Sequence, residues 1–334
     1  MPSQIMVPLD GSPLAEEALP HAIRMARDTG CGITLLRAVP PRLVVGGAPF
    51  GFQPREEHVA YWDSAHLAAR DYLCEVASRL RETEGIEVTK RVVDGDPATG
   101  IVVYAEARPE VTMIVMSTHG RGGISRWVLG SVAERVVRHA PVPLFLIRAH
   151  RPDEPEPALG PYRTLLVPHD GSPSADQALI EVRRLAASNL VRVVIVTAIP
   201  ESEDKAYFAD AVQPDSLVHE RQAEINRVTA YVMRTADALR AEGIRVDTRI
   251  EMGKPAEVIL RGAHEERADT IVMATHGRGG VQRLWLGSVA MKVVQTAGLP
   301  VLLVRAHRST HEPEKPRREE SLTLAGTAAG TATR

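Results

Sequence analysis

The sequence predicts an α/β protein made of two tandem doubly wound domains, each with a five-stranded parallel sheet and helices on both faces. Strand-like and helix-like segments alternate along the chain, which is typical of parallel sheets. The strand-like segments are near-continuous aliphatic runs, as expected for strands buried on both faces. The pattern also occurs twice: Val-Pro-Leu-Asp-Gly-Ser-Pro at 7–13 returns at 167–173 with one difference, and 14 of the 20 residues at 118–137 match 275–294.

Local signals predict each element of the first copy in chain order. An apolar strand at 4–9 ends at Asp10-Gly11, and Ser12-Pro13 opens a helix that runs to about Thr29-Gly30, because Ser caps helices and Pro fits their first position. After a Pro- and Gly-rich loop at 40–55, apolar residues at helical spacing predict a long helix with its stripe at Val59, Trp62, Ala69, Leu73, Val76 and Leu80.

The remaining elements are strands at 32–39, 86–93, 111–116 and 143–147, a helix after Pro97 and a helix opened by Gly130-Ser131. The strands of the second copy are expected at 163–168, 191–199, 245–251, 270–274 and 300–304.

The domain boundaries follow from shifts in composition. We expect a first domain at 1–150, a linker at 151–161, a second domain at 162–307 and a disordered tail at 308–334. The linker segment contains four prolines and three acidic residues, which is typical of an extended, solvated chain. The tail has no aromatic residue, so it cannot bury enough apolar surface to order itself.

The composition argues against several classes of protein. Lys plus Arg number 40 and Asp plus Glu number 42, a net charge of -2, so no nucleic-acid partner is indicated. Cys31 and Cys74 form no CxxC pair, which argues against a disulfide scaffold or a thiolate zinc site. No apolar run reaches membrane-spanning length and no signal-peptide pattern is present, so we expect a soluble cytoplasmic protein with no membrane partner.

The second repeated motif has the features of a phosphate-binding site. Gly120, Gly122 and Gly123 let a ligand approach the main chain closely, and Gly130-Ser131 opens a helix whose N–H groups and dipole favour an anion. Arg121 and Arg126 could add positive charge. The alternative is structural, since Ser131-Val132-Ala133-Glu134 also fits a capping box, in which Ser131 would cap its own helix.

Two further pairs of residues carry the same ambiguity. Asp10 and Asp170 are either acids of a turn beside a helix start or carboxylates that accept hydrogen bonds from a sugar hydroxyl. His119 and His276 each follow a strand and precede a glycine, which fits either a turn histidine or a ligand contact. The residues alone leave both questions open.

The sequence gives no support for catalysis. It contains no Walker loop, HExxH or GxSxG motif, and Ser125 stands where a GxGxxG fingerprint after Gly120 would need its third glycine. No acid–base or nucleophile–base pair can be assigned from spacing.

With these motifs the chain resembles the universal stress protein family in its tandem form, over residues 1–149 and 163–306. The signature of nucleotide-binding members is Gly-x2-Gly-x9-Gly-Ser/Thr, preceded by an aspartate after the first strand. Gly120 with Gly130-Ser131, and Gly277 with Gly287-Ser288, match its later positions, whereas Ser117 and Ala274 replace the first glycine.

The resemblance implies an adenine nucleotide alpha hydrolase-like fold that holds ATP, with or without Mg²⁺, between the first and fourth strands. It places Asp10 and Asp170 at the adenosine end, and Ala38 and Ala198 in the adenine pocket. The residues implied around the ribose and phosphates are Met116, Ser117, Thr118, His119, Gly120 and Arg121 in the first copy, and Met273, Ala274, Thr275, His276, Gly277 and Arg278 in the second. The residues implied to hold phosphate oxygens are Gly130, Ser131, Val132, Gly287, Ser288 and Val289.

The expected function is that of a regulatory stress-response protein that binds ATP with little or no turnover. The resemblance also implies an intramolecular pseudo-dimer joined through the last strands, with a homodimer of chains as a further assembly. The alternatives are a nucleotide-independent interaction module of the same fold and a weak ATPase. No metal-ligand set is assigned.

Overall fold

The described part of the chain contains ten strands and nine helices. This computed structural model describes residues 2–39, 56–118, 129–148, 162–187, 191–200, 215–275 and 286–305, without the side chains of 56–61 and 215–218. The first repeat contains β1 (Gln4–Pro8), α1 (Pro13–Glu16), α2 (Ala18–Thr29), β2 (Gly32–Val39), α3 (Glu56–Glu84), β3 (Val88–Asp94), α4 (Pro97–Glu106), β4 (Val111–Ser117), α5 (Ser131–His139) and β5 (Leu144–Ile147). The second contains β6 (Thr164–Pro168), α6 (Pro173–Ala186), β7 (Arg192–Ile199), α7 (Asp215–Ala241), β8 (Arg245–Met252), α8 (Pro255–Glu265), β9 (Thr270–Ala274), α9 (Ser288–Thr296) and β10 (Val301–Val304).

The predicted fold class is confirmed, and all ten predicted strands are present within two residues of their expected ends. Within each repeat the strands are parallel, in the order β3-β2-β1-β4-β5 in the first and β8-β7-β6-β9-β10 in the second. The predicted loop at 40–55, the linker at 151–161 and the tail at 308–334 lie outside the described residues.

The two repeats share one sheet. Their last strands, β5 and β10, pair antiparallel, with Phe145 opposite Leu302 and Leu144 opposite Leu303. All ten strands therefore form a continuous sheet with this pair at its centre.

Each face of this sheet carries one core layer that continues across both repeats. Alternate residues of a strand point to opposite faces, so Ile5 and Val7 of β1 join one layer while Met6 joins the other. The first layer includes side chains from α1, α2, α3, α6 and α7, and the second includes side chains from α4, α5, α8 and α9. Phe145 and Leu302 are fully buried in the first layer, where they meet across the central strand pair.

The first helix of the first repeat departs from the prediction. A single helix was expected from Pro13 to Thr29-Gly30, but the structure has α1 and α2, separated at Glu17. Pro20 lacks an N–H and cannot bond the carbonyl of Glu16, which removes a helical hydrogen bond at the break. The second repeat has Ile180 at the matching position, and α6 runs unbroken from Pro173 to Ala186.

We expect Phe145→Ala to lower the free energy of unfolding by about 3–5 kcal/mol, because the cavity would open where the two repeats meet. Leu67→Ala is the matched control, since Leu67 is 60% exposed and its truncation should change stability by no more than about 0.5 kcal/mol. Urea denaturation followed by circular dichroism measures both. Equal, small effects of the two substitutions would contradict a core that is continuous through the central strands.

Candidate functional site

The sheet of each repeat has a strand switch, the point at which its order changes direction. It lies between β1 and β4 in the first repeat and between β6 and β9 in the second. In doubly wound sheets, ligands bind in the crevice beyond the carboxyl ends of the strands at this switch. The structure brings candidate residues to both crevices: Asp10, Ser117 and Thr118 in the first, and Asp170, Ala274 and Thr275 in the second.

Helix α5 begins beside the first crevice. The N–H of Gly130 donates to the carbonyl oxygen of Thr118 at 3.0 Å, and the N–H of Thr118 donates to the carbonyl oxygen of Ile147 at 2.8 Å. These bonds hold the start of the helix against the end of β4. The first helical hydrogen bond runs from Glu134 N to Gly130 O, at 2.8 Å, so the preceding N–H groups have no acceptor within the helix.

The start of α5 carries no side-chain cap among the described residues. Gly130 is the N-cap residue and has no side chain, while Ser131 is the first helical residue and is exposed. In contrast, Ser12 caps α1 and Asp96 caps α4 with side-chain oxygens. Helix α8 also lacks a side-chain cap, but its N-cap residue, Lys254, follows the outermost strand, away from the switch.

Helix α9 repeats this arrangement in the second repeat. The N–H of Gly287 donates to the carbonyl oxygen of Thr275 at 2.8 Å, and the N–H of Thr275 donates to that of Val304 at 2.9 Å. A Cβ at Gly287 would lie 3.3 Å from the Thr275 oxygen, a close contact that favours glycine. Gly287 is the N-cap, and no described side chain caps the helix.

The capping-box interpretation of Ser131 does not hold. A capping box needs Ser131 at the N-cap and the Glu134 side chain folded back onto its N–H. Instead Gly130 occupies the N-cap, and Glu134 forms an ion pair with Arg138 at 2.7 Å. The exposed Ser131 side chain therefore belongs to the first turn of α5 and has no capping role.

Asp10 and Asp170 shape the turns that follow β1 and β6. Asp10 Oδ1 accepts a hydrogen bond from the N–H of Ser12 at 2.8 Å, and Asp170 Oδ1 accepts from the N–H of Ser172 at 3.0 Å. The intervening Gly11 has φ of 84°, a left-handed conformation that favours glycine. These contacts establish the turn role, and the contact with a sugar hydroxyl stays a prediction.

The remaining candidate residues fall into four groups. Ala38 and Ala198 lie half-buried near the carboxyl ends of β2 and β7. Met116 and Met273 are buried in the same core layer as α5 and α9. Val132 and Val289 are half-buried in the first turns of those helices, and Ser288, like Ser131, is exposed. The candidates His119, Gly120, Arg121, His276, Gly277 and Arg278 lie outside the described residues.

A family model for the universal stress protein family matches residues 1–148 and again 161–305. The chain belongs to the universal stress protein family. A universal stress protein of Mycobacterium tuberculosis is 27% identical over 315 residues, covering 90% of this chain and 94% of that protein. One of Thermus aquaticus is 35% identical over 148 residues, which are 43% of this chain and 99% of that protein. The crystal structure of a universal stress protein from Archaeoglobus fulgidus superposes with a TM-score of 0.67 at 22% identity, over 91% of this chain and 98% of that one, in agreement with the fold.

The second domain of this universal stress protein contains a buried histidine beside Asp170. His169 replaces Leu9 of the first repeat, receives a hydrogen bond from the N–H of Gly171 on Nδ1 at 3.0 Å, and contacts Asp176 through Nε2 at 2.9 Å. Because Nδ1 accepts, the proton lies on Nε2. Burial raises the pKa of Asp176, but the hydrogen bonds from His169 and Tyr231 outweigh this effect and leave that pKa below its usual value. The pair fixes the turn that carries Asp170.

The structure also shows a small cleft between the two domains that sequence reasoning missed. This inter-repeat cleft is lined by Val137, Arg138 and Leu144 of the first repeat and by Thr275, Leu303 and Arg305 of the second. The sequence contains a signal for one of these residues. The segment Arg-Ala-His-Arg follows the last strand of both repeats, at 148–151 and 305–308, and its second copy begins with Arg305. The described residues contain no group of three or more His, Cys, Asp or Glu side chains that could hold a metal ion. None of the described helices combines the length and the apolar character of a membrane span.

We expect Ser131→Ala to leave the free energy of unfolding within about 0.5 kcal/mol of the wild type, because Ser131 does not cap its helix. Ser12→Ala is the matched control and should cost about 1 kcal/mol, since the Ser12 hydroxyl oxygen accepts from the N–H of Ala15 at 3.2 Å. Chemical denaturation measures both. A cost for Ser131→Ala equal to that of Ser12→Ala would restore the capping interpretation.

Proposed function

We propose that this protein binds ATP in both strand-switch crevices and acts as a regulatory nucleotide binder in stress responses, with little or no turnover. The observation that carries the proposal is the pair of helix starts at Gly130 and Gly287. Each presents main-chain N–H groups of an uncapped first turn next to a strand switch, and such a helix start favours phosphate. The triphosphate would carry Mg²⁺ with it as it does in solution.

The arrangement of the other candidate residues supports the same orientation of the nucleotide. The phosphates would lie at the N-termini of α5 and α9, with the hydroxyls of Ser131 and Ser288 beside them. The adenosine would extend toward Asp10 and Ala38 in the first repeat and toward Asp170 and Ala198 in the second. His119 to Arg121 and His276 to Arg278, in the loop after the fourth strand, remain proposed contacts from sequence alone.

Little or no turnover is proposed because the motifs lack a catalytic group. No lysine of the Walker type accompanies either glycine-rich loop, and phosphoryl transfer depends on such charges together with positioned metal ligands. A cytoplasmic location remains part of the proposal. The antiparallel pairing of β5 with β10 supports the proposal that the two domains form an intramolecular pseudo-dimer.

One observation favours a second candidate function, a nucleotide-independent interaction module. Ser117 and Ala274 replace the first signature glycine, and both are buried at the strand ends, at 5% and 8% exposure. Each of them has a Cβ atom at the crevice, where the glycine of the signature has none. Calorimetric titration with ATP separates the two functions, because a module independent of nucleotide would give no heat and no thermal shift at millimolar ATP.

We expect Gly130→Glu to weaken ATP binding in the first repeat at least tenfold, about 1.4 kcal/mol, because its carboxylate would repel the phosphates. Gly287→Glu should do the same in the second repeat. Gly287→Ala is the matched control: it adds only the close contact with the Thr275 oxygen and no charge, so it should weaken binding less. Isothermal titration calorimetry gives the affinity and the number of sites for each variant.

In the variant that carries both Glu substitutions we expect no measurable ATP binding at ATP concentrations that saturate the wild type. An unchanged affinity in this double variant would show that the nucleotide binds elsewhere on the protein.

A further inference from the structure

The inter-repeat cleft joins the second nucleotide site to the first repeat. Thr275 lines the cleft, and its carbonyl oxygen holds the start of α9, where the phosphates of the second site are proposed to bind. The opposite wall comes from the end of α5, including Val137 and Arg138. The two walls come from different repeats because β5 and β10 pair antiparallel, which places the end of β10 beside the beginning of β5.

Two cationic side chains line the cleft next to Thr275. Arg305 directly follows β10, and Arg138 belongs to the last turn of α5. Arg138 pairs with Glu134 at 2.7 Å, but both side chains are partly open to solvent, at 37% and 43% exposure. An exposed pair at this spacing contributes only about 0.3–0.5 kcal/mol, so an incoming phosphate can compete for the guanidinium.

Within the part of the chain that the structure describes, the corresponding place beside the first site lacks a counterpart of Arg138. Arg148 matches Arg305, and it lies close to the end of α9, since its Nη1 is 3.9 Å from the position that a Cβ at Gly298 would occupy. The residue that matches Arg138 is Gln295, and the last turn of α9 contains no basic residue. Among the described residues, the second site is therefore flanked by the pair of Arg138 and Glu134 from the other repeat, whereas the first is flanked by the neutral Gln295 and Met291.

We propose that Arg138, supplied by the first repeat, and Arg305 form a cationic subsite for the phosphates of the nucleotide bound in the second repeat. This inference rests on the proposed function. The guanidinium of Arg138 adds a charge-assisted contact to the phosphates and offsets the negative end of the α5 dipole. The second site binds nucleoside triphosphates more tightly than the first, and the difference grows with the number of phosphates.

The test uses variants with a single working site. In the Gly130→Glu background only the second site binds, and there we expect Arg138→Gln to weaken ATP binding about fivefold at low ionic strength, with adenosine binding unchanged. In the Gly287→Glu background we expect Gln295→Arg to strengthen ATP binding at the first site by a similar factor. Both effects should shrink as salt is added.

Arg135→Gln is the matched control. Arg135 lies on the same helix, loses the same charge and pairs with Asp96 at 2.7 Å rather than lining the cleft. It should leave ATP affinity unchanged. An Arg138→Gln variant that binds ATP as the Arg135→Gln variant does, or that loses adenosine and ATP affinity equally, would overturn the subsite.

The number of bound nucleotides separates this inference from the proposed function. If each single-site variant binds one ATP and Arg138→Gln has no effect, the subsite is wrong and the proposed function stands. If the wild type binds no ATP at all, both are wrong.

Discussion

Two main-chain hydrogen bonds position the helix starts on which the proposed function depends. The carbonyl oxygens of Thr118 and Thr275, at the ends of β4 and β9, accept from the N–H groups of Gly130 and Gly287. Each bond draws a helix start to the strand switch and places a residue without a side chain at the N-cap. The first-turn N–H groups therefore lie next to the strand switch without a side-chain cap from any described residue. A serine at the N-cap would accept a hydrogen bond from one of those N–H groups through its hydroxyl oxygen. That N–H group would then be unavailable to an anion.

The pairing of β5 with β10 determines which elements of one repeat lie beside the helix start of the other. Because the two strands are antiparallel, the end of α5 lies beside Thr275 of the second repeat, and Arg148 lies beside the end of α9. The core layers on both faces continue through the same strands, so the two repeats share their apolar burial as well as their sheet. Near-identical motifs in the two repeats can then have different charge surroundings, as Arg138 and Gln295 illustrate.

The sequence predicts the strands and the general position of the site well, because these depend on local patterns. Aliphatic runs gave the ten strands, and Ser12-Pro13 correctly predicted the start of α1. The break at Glu17 was missed although Pro20 is a local signal for it. The capping interpretation of Ser131 failed because the bond between Gly130 and Thr118 joins residues twelve positions apart, which a four-residue pattern does not contain. Arg138 could not be predicted, since its place in the cleft depends on the pairing of the two repeats.

The most direct test of the account is a crystal structure of the full chain with bound ATP. The account predicts triphosphate oxygens about 2.7–3.2 Å from main-chain nitrogens in the first turns of both α5 and α9. Well-ordered ATP bound elsewhere, with both helix starts hydrated or covered by side chains, would contradict it.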